Sequence, residues 1–244
     1  MTSPVLECAS APIVATVEVP GSKSVANRAL ICAALADGRS ELAGLPDGDD
    51  TTAMVDGLQR LGMAVELDGS RAVISGRGAD IHGGASIDAR LAGTTSRFLT
   101  AVAALSPRPT RIDGGEALRR RPMGVLHSAL EGLGAQVTPL GAPGCLPVEV
   151  ARGGLRGGRI ELAGDTSSQF ITALMLIAPL LEGGLTIEIT STLVSRPYVE
   201  MTAAVMSSFG IGGIALSESV IHVEAGAYRP TSYHVEPDAS SASY

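Results

Sequence analysis

Aromatic residues are scarce in this sequence, and tryptophan is absent. Phe, Tyr and Trp make up 3% of the 244 residues, whereas hydrophobic residues as a whole make up 45%. Because large rings are missing, the core must be built from Ala, Leu, Ile and Val in close-packed layers of helix and sheet. The length suits one large domain or two small ones.

Cysteine and histidine are too few and too scattered for a disulfide framework or a metal site. The three cysteines are Cys8, Cys32 and Cys145, no two of them form a Cys-x-x-Cys pair, and the four histidines show no ligand spacing. Reduced thiols are typical of cytoplasmic proteins. We therefore expect a cytoplasmic location, no metal ion and no cofactor.

Excess positive charge, a signal sequence and long apolar runs are also missing. The formal net charge of −7 argues against nucleic acid or a membrane surface as a partner. The N-terminus lacks the basic and apolar regions of a secretory signal. The longest apolar run, residues 170–181, contains Thr172 and Pro179 and is too short to cross a bilayer. Any anion site must therefore be a local cationic pocket.

One cationic segment, residues 20–35, is the most informative part of the chain. Its Pro-Gly pair ends the preceding element of secondary structure, and the Ala- and Leu-rich run after it predicts a helix over residues 24–36. Lys23 stands at the helix start, where free backbone N–H groups favour an anion, and Ser24 and Arg28 share a helix face. The segment predicts a site for a phosphorylated or carboxylated ligand, although an ordinary capped helix with a solvated lysine and arginine stays open.

Short β-rich stretches alternate along the chain with Ala- and Leu-rich helical ones. The elements of the first unit are a strand at residues 14–19, a helix at 24–36, a second helix capped by 49–52 and ending at Leu61, and strands at 64–67 and 71–75. Gly62 stops the second helix, and Asp68-Gly69 is a strong hairpin signal between the last two strands. The unit is βαβαββ in outline.

This unit recurs along the chain. Ser96-Arg97-Phe98 matches Ser168-Gln169-Phe170 at an offset of 72 residues (168 − 96), and the Asp-x-Ser-Ser motif at residue 165 returns at residue 238, 73 residues later (238 − 165). Second helices recur as residues 122–133 before Gly134 and as residues 197–209 before Gly210. The sequence therefore holds three copies and the start of a fourth, packed around a pseudo-axis.

Repeated units bring equivalent helix starts together, so the polar residues at these starts should converge on one site. The starts are residues 22–24, 93–94 and 167–169. Capping alone would account for Gly and Ser at these positions. It does not explain the added Lys23, Arg28 and Gln169.

Two arginine-bearing segments precede second helices. Arg119, Arg120 and Arg121 come before Pro122, which suits the first helical position. Guanidinium groups at a helix start form a clamp for carboxylate or phosphate, although an arginine run is also typical of a solvated surface. Residues 195–198, Ser-Arg-Pro-Tyr, repeat the arrangement and add hydroxyl donors.

Taken together, these motifs resemble one family, 5-enolpyruvylshikimate-3-phosphate synthase, also called 3-phosphoshikimate 1-carboxyvinyltransferase. The segments that carry the resemblance, in the family's order, are residues 20–28, 91–97, 121–124, 167–170, 195–198 and 238–243. The resemblance implies an α/β (α+β) fold of two globular halves. Each half holds three βαβαββ units around a pseudo-threefold axis, an inside-out barrel.

The resemblance also implies a reaction and its substrates. The family transfers the enolpyruvyl group of phosphoenolpyruvate to the 5-hydroxyl of shikimate 3-phosphate and releases phosphate, in the shikimate pathway of aromatic amino-acid biosynthesis. It is the target of glyphosate, and Gly93 leaves the phosphoenolpyruvate pocket open to that compound.

Site residues follow from the resemblance position by position. Those implied for shikimate 3-phosphate are Lys23, Ser24, Arg28, Ser167, Ser168, Gln169, Ser195 and Tyr198. Those implied for phosphoenolpyruvate are Lys23, Gly93, Arg121 and Gln169. Lys23 is the implied catalytic residue because it touches both substrates and can assist proton transfer. Gly93 allows close backbone approach that a side chain would obstruct.

The chain departs from the family at its end, since the family continues through a second half that carries further catalytic residues. We therefore expect residues 20–238 to form one globular half, with residues 1–19 and 239–244 belonging to the absent half. Such a chain would bind shikimate 3-phosphate without full turnover.

A catalytically dead binding module is one alternative. A UDP-N-acetylglucosamine enolpyruvyl transferase is another, but that family has Asn after the helix-start lysine, where this chain has Ser24, and a reactive cysteine near the region of Arg121, where this chain has none.

Overall fold

The computed structural model describes residues 19–165 and 167–239. Their α-helices are Lys23–Leu35 (α1), Asp49–Arg60 (α2), Gly93–Ala103 (α3), Glu116–Arg119 (α4), Gly124–Gly132 (α5), Ser168–Ile177 (α6) and Arg196–Ser208 (α7). Their strands are Asp37–Ala43 (β1), Ala64–Asp68 (β2), Arg71–Arg77 (β3), Ser86–Asp88 (β4), Thr110–Asp113 (β5), Gln136–Pro139 (β6), Val148–Ala151 (β7), Gly158–Leu162 (β8), Leu185–Ile189 (β9), Ile214–Leu216 (β10), Val220–Val223 (β11) and Ser232–His234 (β12). No helix within these ranges is long and apolar enough to cross a membrane.

Three four-stranded sheets share one topology. Their strand orders are β12-β1-β3-β2, β4-β5-β7-β6 and β8-β9-β11-β10. In each sheet the first two strands are parallel and the remaining neighbours are antiparallel. The predicted repeat is therefore present three times in the described chain.

The first repeat differs from the other two in where its outer strand comes from. The place beside β1 is filled by β12, with Leu42 opposite Tyr233, so the C-terminal part of the chain completes the first sheet. The predicted strand at residues 14–19 lies outside the described residues except for Val19, which is not in a strand. The predicted start of a fourth repeat also lies outside them beyond residue 239.

The helices lie inside and the sheets outside, which is the inside-out arrangement implied by the family resemblance. Helices α1, α3 and α6 contact one another, and each of the helices α2, α5 and α7 packs between two of them. In α1, every residue from Val25 to Leu35 is buried. A helix that is buried on all sides needs small side chains for close approach, and Ala26, Ala29 and Ala33 supply them. The core is mainly aliphatic, as predicted.

Local signals fix the ends of several elements. Gly62, Gly134 and Gly210 follow α2, α5 and α7 with φ of 101°, 97° and 88°, a left-handed conformation that glycine adopts at no steric cost. The Asp68-Gly69 hairpin joins β2 to β3 in the predicted antiparallel register. These predictions are confirmed.

Two predicted helix starts are wrong by one or two residues. The N-cap of α2 is Gly48, so Asp49 and Asp50 lie in the first helical turn rather than capping it. Helix α5 begins at Gly124, so Pro122 stands before the helix and not at its first position. In contrast, Pro197 does lie in the first turn of α7.

Candidate active site

The first turns of α1, α3 and α6 open at one end of the helix bundle. Contacts connect them: Arg97 of α3 reaches Ser167 and Gln169 at the start of α6, and Asp50 of α2 contacts both Lys23 of α1 and Thr95 of α3. Unpaired N–H groups at helix starts carry partial positive charge, so three such starts side by side favour an anion.

Arg28 is the most buried charged side chain at this end, with 2% of its surface exposed. Its Nε donates to Thr202 Oγ1 at 2.8 Å and its Nη1 to the Ser24 carbonyl oxygen at 2.7 Å. The guanidinium also lies 5.6 Å from the Phe98 ring centroid and 5.9 Å from that of Tyr198. Burial lowers the pKa of Arg28 to about 10. Arg28 is thus a cation held by hydroxyls, carbonyls and rings.

The start of α6 presents hydroxyl and amide groups. Ser167 is the N-cap, and its Oγ accepts from the backbone N–H of Gln169 at 3.4 Å. Ser168 is buried, whereas Ser167 and Gln169 are half-buried. Because the helix start directs its N–H groups outward, these side chains border a place suited to a phosphate group.

Lys23 lies at the rim, with 57% of its side chain exposed. Its Nζ is 2.7 Å from Asp50 Oδ2. The backbone carbonyl oxygen of Asp50 also accepts from Thr95 Oγ1 at 3.3 Å, so the first turn of α2 connects α1 with α3. The pair holds the Lys23 ammonium beside the helix starts.

Gly93 and Arg121 are adjacent. A Cβ atom at Gly93 would lie 2.8 Å from Arg121 Nη1, so only glycine leaves room for the guanidinium in its present place. The other two arginines of the 119–121 run are engaged elsewhere: Arg119 pairs with Asp113 at 2.8 Å, and Arg120 pairs with Glu116. Of the predicted clamp, Arg121 alone remains available for a ligand.

A cavity of about 510 Å³ opens between the starts of α1 and α7. Ser24 and Tyr198 line it, together with Met201 and the C-terminal residues 236–239. Tyr198 is 46% exposed, and Ser195, the N-cap of α7, is half-buried just before it. Thus the predicted residues of α7 border the same end of the bundle as those of α1.

The charges at this end are unbalanced. Within residues 19–165 and 167–239, Lys23 has an ion-pair partner, but none of Arg28, Arg97 and Arg121 does. This concentration of unpaired guanidinium groups contrasts with the net charge of −7 for the whole chain. The site therefore has the electrostatics of a polyanion pocket.

Sequence reasoning missed two residues of this site. Arg97 was visible in the repeat, because it aligns with Gln169 at the 72-residue offset (169 − 97), and an arginine at a position equivalent to a candidate ligand is a usable signal. Asp50 gave no such signal, since an acidic residue in a first helical turn is ordinary. In the part of the chain that the structure describes, no cluster of His, Cys, Asp and Glu side chains could hold a metal ion.

Comparisons with known proteins agree with this architecture. The family model described as EPSP synthase (3-phosphoshikimate 1-carboxyvinyltransferase) matches residues 8–244. A curated 3-phosphoshikimate 1-carboxyvinyltransferase of Trichormus variabilis is 40% identical over 237 residues, which are 96% of this chain and 56% of the relative. One from Pseudomonas savastanoi pv. phaseolicola is 42% identical over 240 residues, with the same coverage of 96% and 56%.

Solved structures show the same fold. An EPSP synthase from Acinetobacter baumannii superposes with a TM-score of 0.82 at 24% identity, covering 93% of this chain and 50% of that one. The chain thus spans about half the length of the curated relatives it matches. On the family model and the curated relatives together, the chain belongs to the EPSP synthase (3-phosphoshikimate 1-carboxyvinyltransferase) family.

Proposed function

We propose that this chain is the shikimate-3-phosphate-binding half of an enolpyruvyl transferase. The full reaction joins C2 of the enolpyruvyl group of phosphoenolpyruvate to the 5-hydroxyl oxygen of shikimate 3-phosphate. The bond from C2 to the phosphate oxygen breaks, and the hydroxyl proton leaves with the released phosphate. In this proposal residues 20–238 form the globular half.

The observation that carries the proposal is the set of three arginines, Arg28, Arg97 and Arg121, without carboxylate partners at the open end of the bundle. Burying or crowding cations without partners is unfavourable, so such an arrangement is retained where a ligand supplies the missing negative charge. Two substrates that are both polyanions fit this requirement. Their mutual repulsion would be offset by fixed cations already in place.

Shikimate 3-phosphate is the ligand we assign to the starts of α6, α1 and α7. Ser167, Ser168 and Gln169 would donate to its phosphate, aided by the positive end of α6. Ser24 and Tyr198 would bind the rest of the ligand from the 510 Å³ cavity, with Ser195 nearby. Arg28 would supply the balancing charge from beneath, because it is almost wholly buried.

Phosphoenolpyruvate is assigned to Gly93 and Arg121, with Lys23 and Gln169 between the two substrates. Lys23 is placed at the rim by Asp50, and its ammonium would pass a proton between the attacking hydroxyl and the departing phosphate. Turnover would further require the second half that the family resemblance implies. The chain alone would therefore bind shikimate 3-phosphate with little or no turnover.

Calorimetric titration tests the proposal. We expect saturable 1:1 binding of shikimate 3-phosphate to the chain in phosphate-free buffer, weakening as salt rises because the contacts are electrostatic. Shikimate, which lacks the phosphate, should bind at least about tenfold more weakly, since one charge-assisted contact is worth about 1.5–3 kcal/mol. Absence of binding at low salt, both with and without phosphoenolpyruvate, would refute the proposal.

A further inference from the structure

Arg97 makes an unusual set of contacts across the bundle. Its Nη1 donates to Gln169 Oε1 and lies 3.5 Å from Ser167 Oγ, both at the start of α6. Its guanidinium stacks on Phe170, 4.8 Å from the ring centroid. Arg97 thus connects α3 to two of the three residues at the start of α6 that we assign to phosphate.

This position is electrostatically unfavourable for an arginine without a ligand. Its Nε is buried and has no hydrogen-bond partner in the described part of the chain. Burial lowers the pKa of Arg97, and the neighbouring charge of Arg121 lowers it further. A side chain placed at such a cost to stability is typical of a functional site rather than of a packing contact.

The hydrogen bonds of Arg97 determine which atoms of its partners act as acceptors and which remain free to donate. Guanidinium can only donate, so the atom of Gln169 that faces Arg97 must be the amide oxygen, and the amide NH₂ group is then turned the other way. Ser167 Oγ likewise accepts from the Gln169 backbone N–H and lies within reach of Arg97, which leaves its own hydroxyl hydrogen free to donate elsewhere.

We infer that Arg97 is a positioning residue that makes Ser167 and Gln169 present hydrogen-bond donors to the bound phosphate. Without it, the Gln169 amide could rotate by half a turn and aim its oxygen at an anion, and the Ser167 hydroxyl could donate into the protein. This inference rests on the proposed function for its ligand. It adds that a residue of the neighbouring repeat, Arg97, makes the side chains at the phosphate site present hydrogen-bond donors rather than acceptors.

The repeat itself supports the assignment. Arg97 and Gln169 occupy equivalent positions in consecutive repeats, and their side chains are hydrogen-bonded to each other. One position carries a group that only donates, and the other carries an amide that both donates and accepts. The hydrogen bond between them can therefore run in one direction only: Arg97 of α3 donates to the amide oxygen of Gln169, and the amide NH₂ group is left for the ligand side of α6.

The test compares Arg97→Met and Arg97→Lys with Arg60→Met, an exposed control at the far end of α2. We expect Arg97→Met to weaken shikimate 3-phosphate binding by about 10- to 100-fold, Arg97→Lys to recover part of the loss, and Arg60→Met to change it less than about twofold. In a Gln169→Ala background, Arg97→Met should cost much less, since the oriented partner is gone. Equal losses in both backgrounds, or unchanged binding in Arg97→Met, would overturn the inference.

A second readout is independent of the ligand. The side-chain amide of Gln169, followed by ¹⁵N NMR relaxation, should be ordered in the wild-type chain and in Arg60→Met but mobile in Arg97→Met. A mobile Gln169 amide in the wild-type chain would overturn the inference. If the amide is ordered but shikimate 3-phosphate does not bind, the proposed function fails, whereas the orientation of Gln169 by Arg97 stands.

Discussion

Arg28→Met should make the ligand-free chain more stable while it removes ligand binding. Burial lowers the pKa of Arg28 to about 10, which corresponds to about 3 kcal/mol of unfavourable free energy for the charged form in the folded state. The pKa is lower in the folded than in the unfolded chain, so below pH 10 both states are protonated and this cost is present in full. It would diminish only as the pH rises above about 10.

Two losses offset the gain from removing the charge. The cation–π contacts with Phe98 and Tyr198 contribute about 1 kcal/mol, and the smaller methionine leaves a gap that costs about 1 kcal/mol more. The hydroxyls left behind keep partners, because Thr172 and Thr202 bond each other at 3.0 Å. We therefore expect the free energy of unfolding of Arg28→Met to exceed that of the wild type by about 1 kcal/mol.

Urea denaturation followed by circular dichroism at pH 7 in phosphate-free buffer measures this difference. Arg60→Met serves as the control, and it should lie within about 0.5 kcal/mol of the wild type because it is exposed. Added shikimate 3-phosphate should stabilise the wild type but not Arg28→Met. If the free energy of unfolding of Arg28→Met were lower than that of the wild type by about 3 kcal/mol or more, Arg28 would be stabilising the folded core, and the reasoning would be refuted.

Three further predictions concern other parts of the chain. Burial lowers the pKa of His127 to about 4, so stability should fall by about 3 kcal/mol between pH 6.5 and 4, and His127→Leu should remove that dependence in thermal melts at the two pH values. Gly93→Ala should displace Arg121 and weaken phosphoenolpyruvate in titrations of the shikimate 3-phosphate complex, and leave shikimate 3-phosphate affinity within about twofold. Val235→Asp, which puts an unpaired charge at a buried position next to β12, should lower the unfolding free energy by about 3–5 kcal/mol in urea titrations, whereas the exposed Ser232→Ala should change it by less than about 0.5 kcal/mol.

Local signals predicted much of the fold. The helix over residues 24–36, the glycine stops after the second helices and the Asp68-Gly69 hairpin each depend on neighbours in sequence, and each is present in the structure. Strand β1 is different, because its Asp-Gly-Arg-Ser-Glu start is polar and lacks β-branched residues. It is a strand because β3 and β12 pair with it on its two sides. The pairing with β12 spans almost the whole described chain, and no local pattern reports it.

The residues of the candidate site also fall into those that the sequence could predict and those that depend on tertiary packing. Helix starts and cations could be predicted from the repeat in the sequence, which indicated Lys23, Arg28 and Gln169. Asp50 could not, because its role depends on where α2 places it relative to Lys23. Arg97 could have been found from its alignment with Gln169, but its contact with Gln169 depends on packing between α3 and α6. The family resemblance named a ligand that residue types alone left as an anion.

The most direct test is to locate the bound ligand by NMR on the ¹⁵N-labelled chain titrated with shikimate 3-phosphate. We expect the largest amide shifts at Lys23, Ser24, Ser168 and Gln169, where the helix starts converge. The contrasting location is the cavity at the other end of α3, lined by the exposed Arg152 and Arg156. Shifts centred there, with the helix starts unchanged, would contradict the assignment of shikimate 3-phosphate to the starts of α1, α6 and α7.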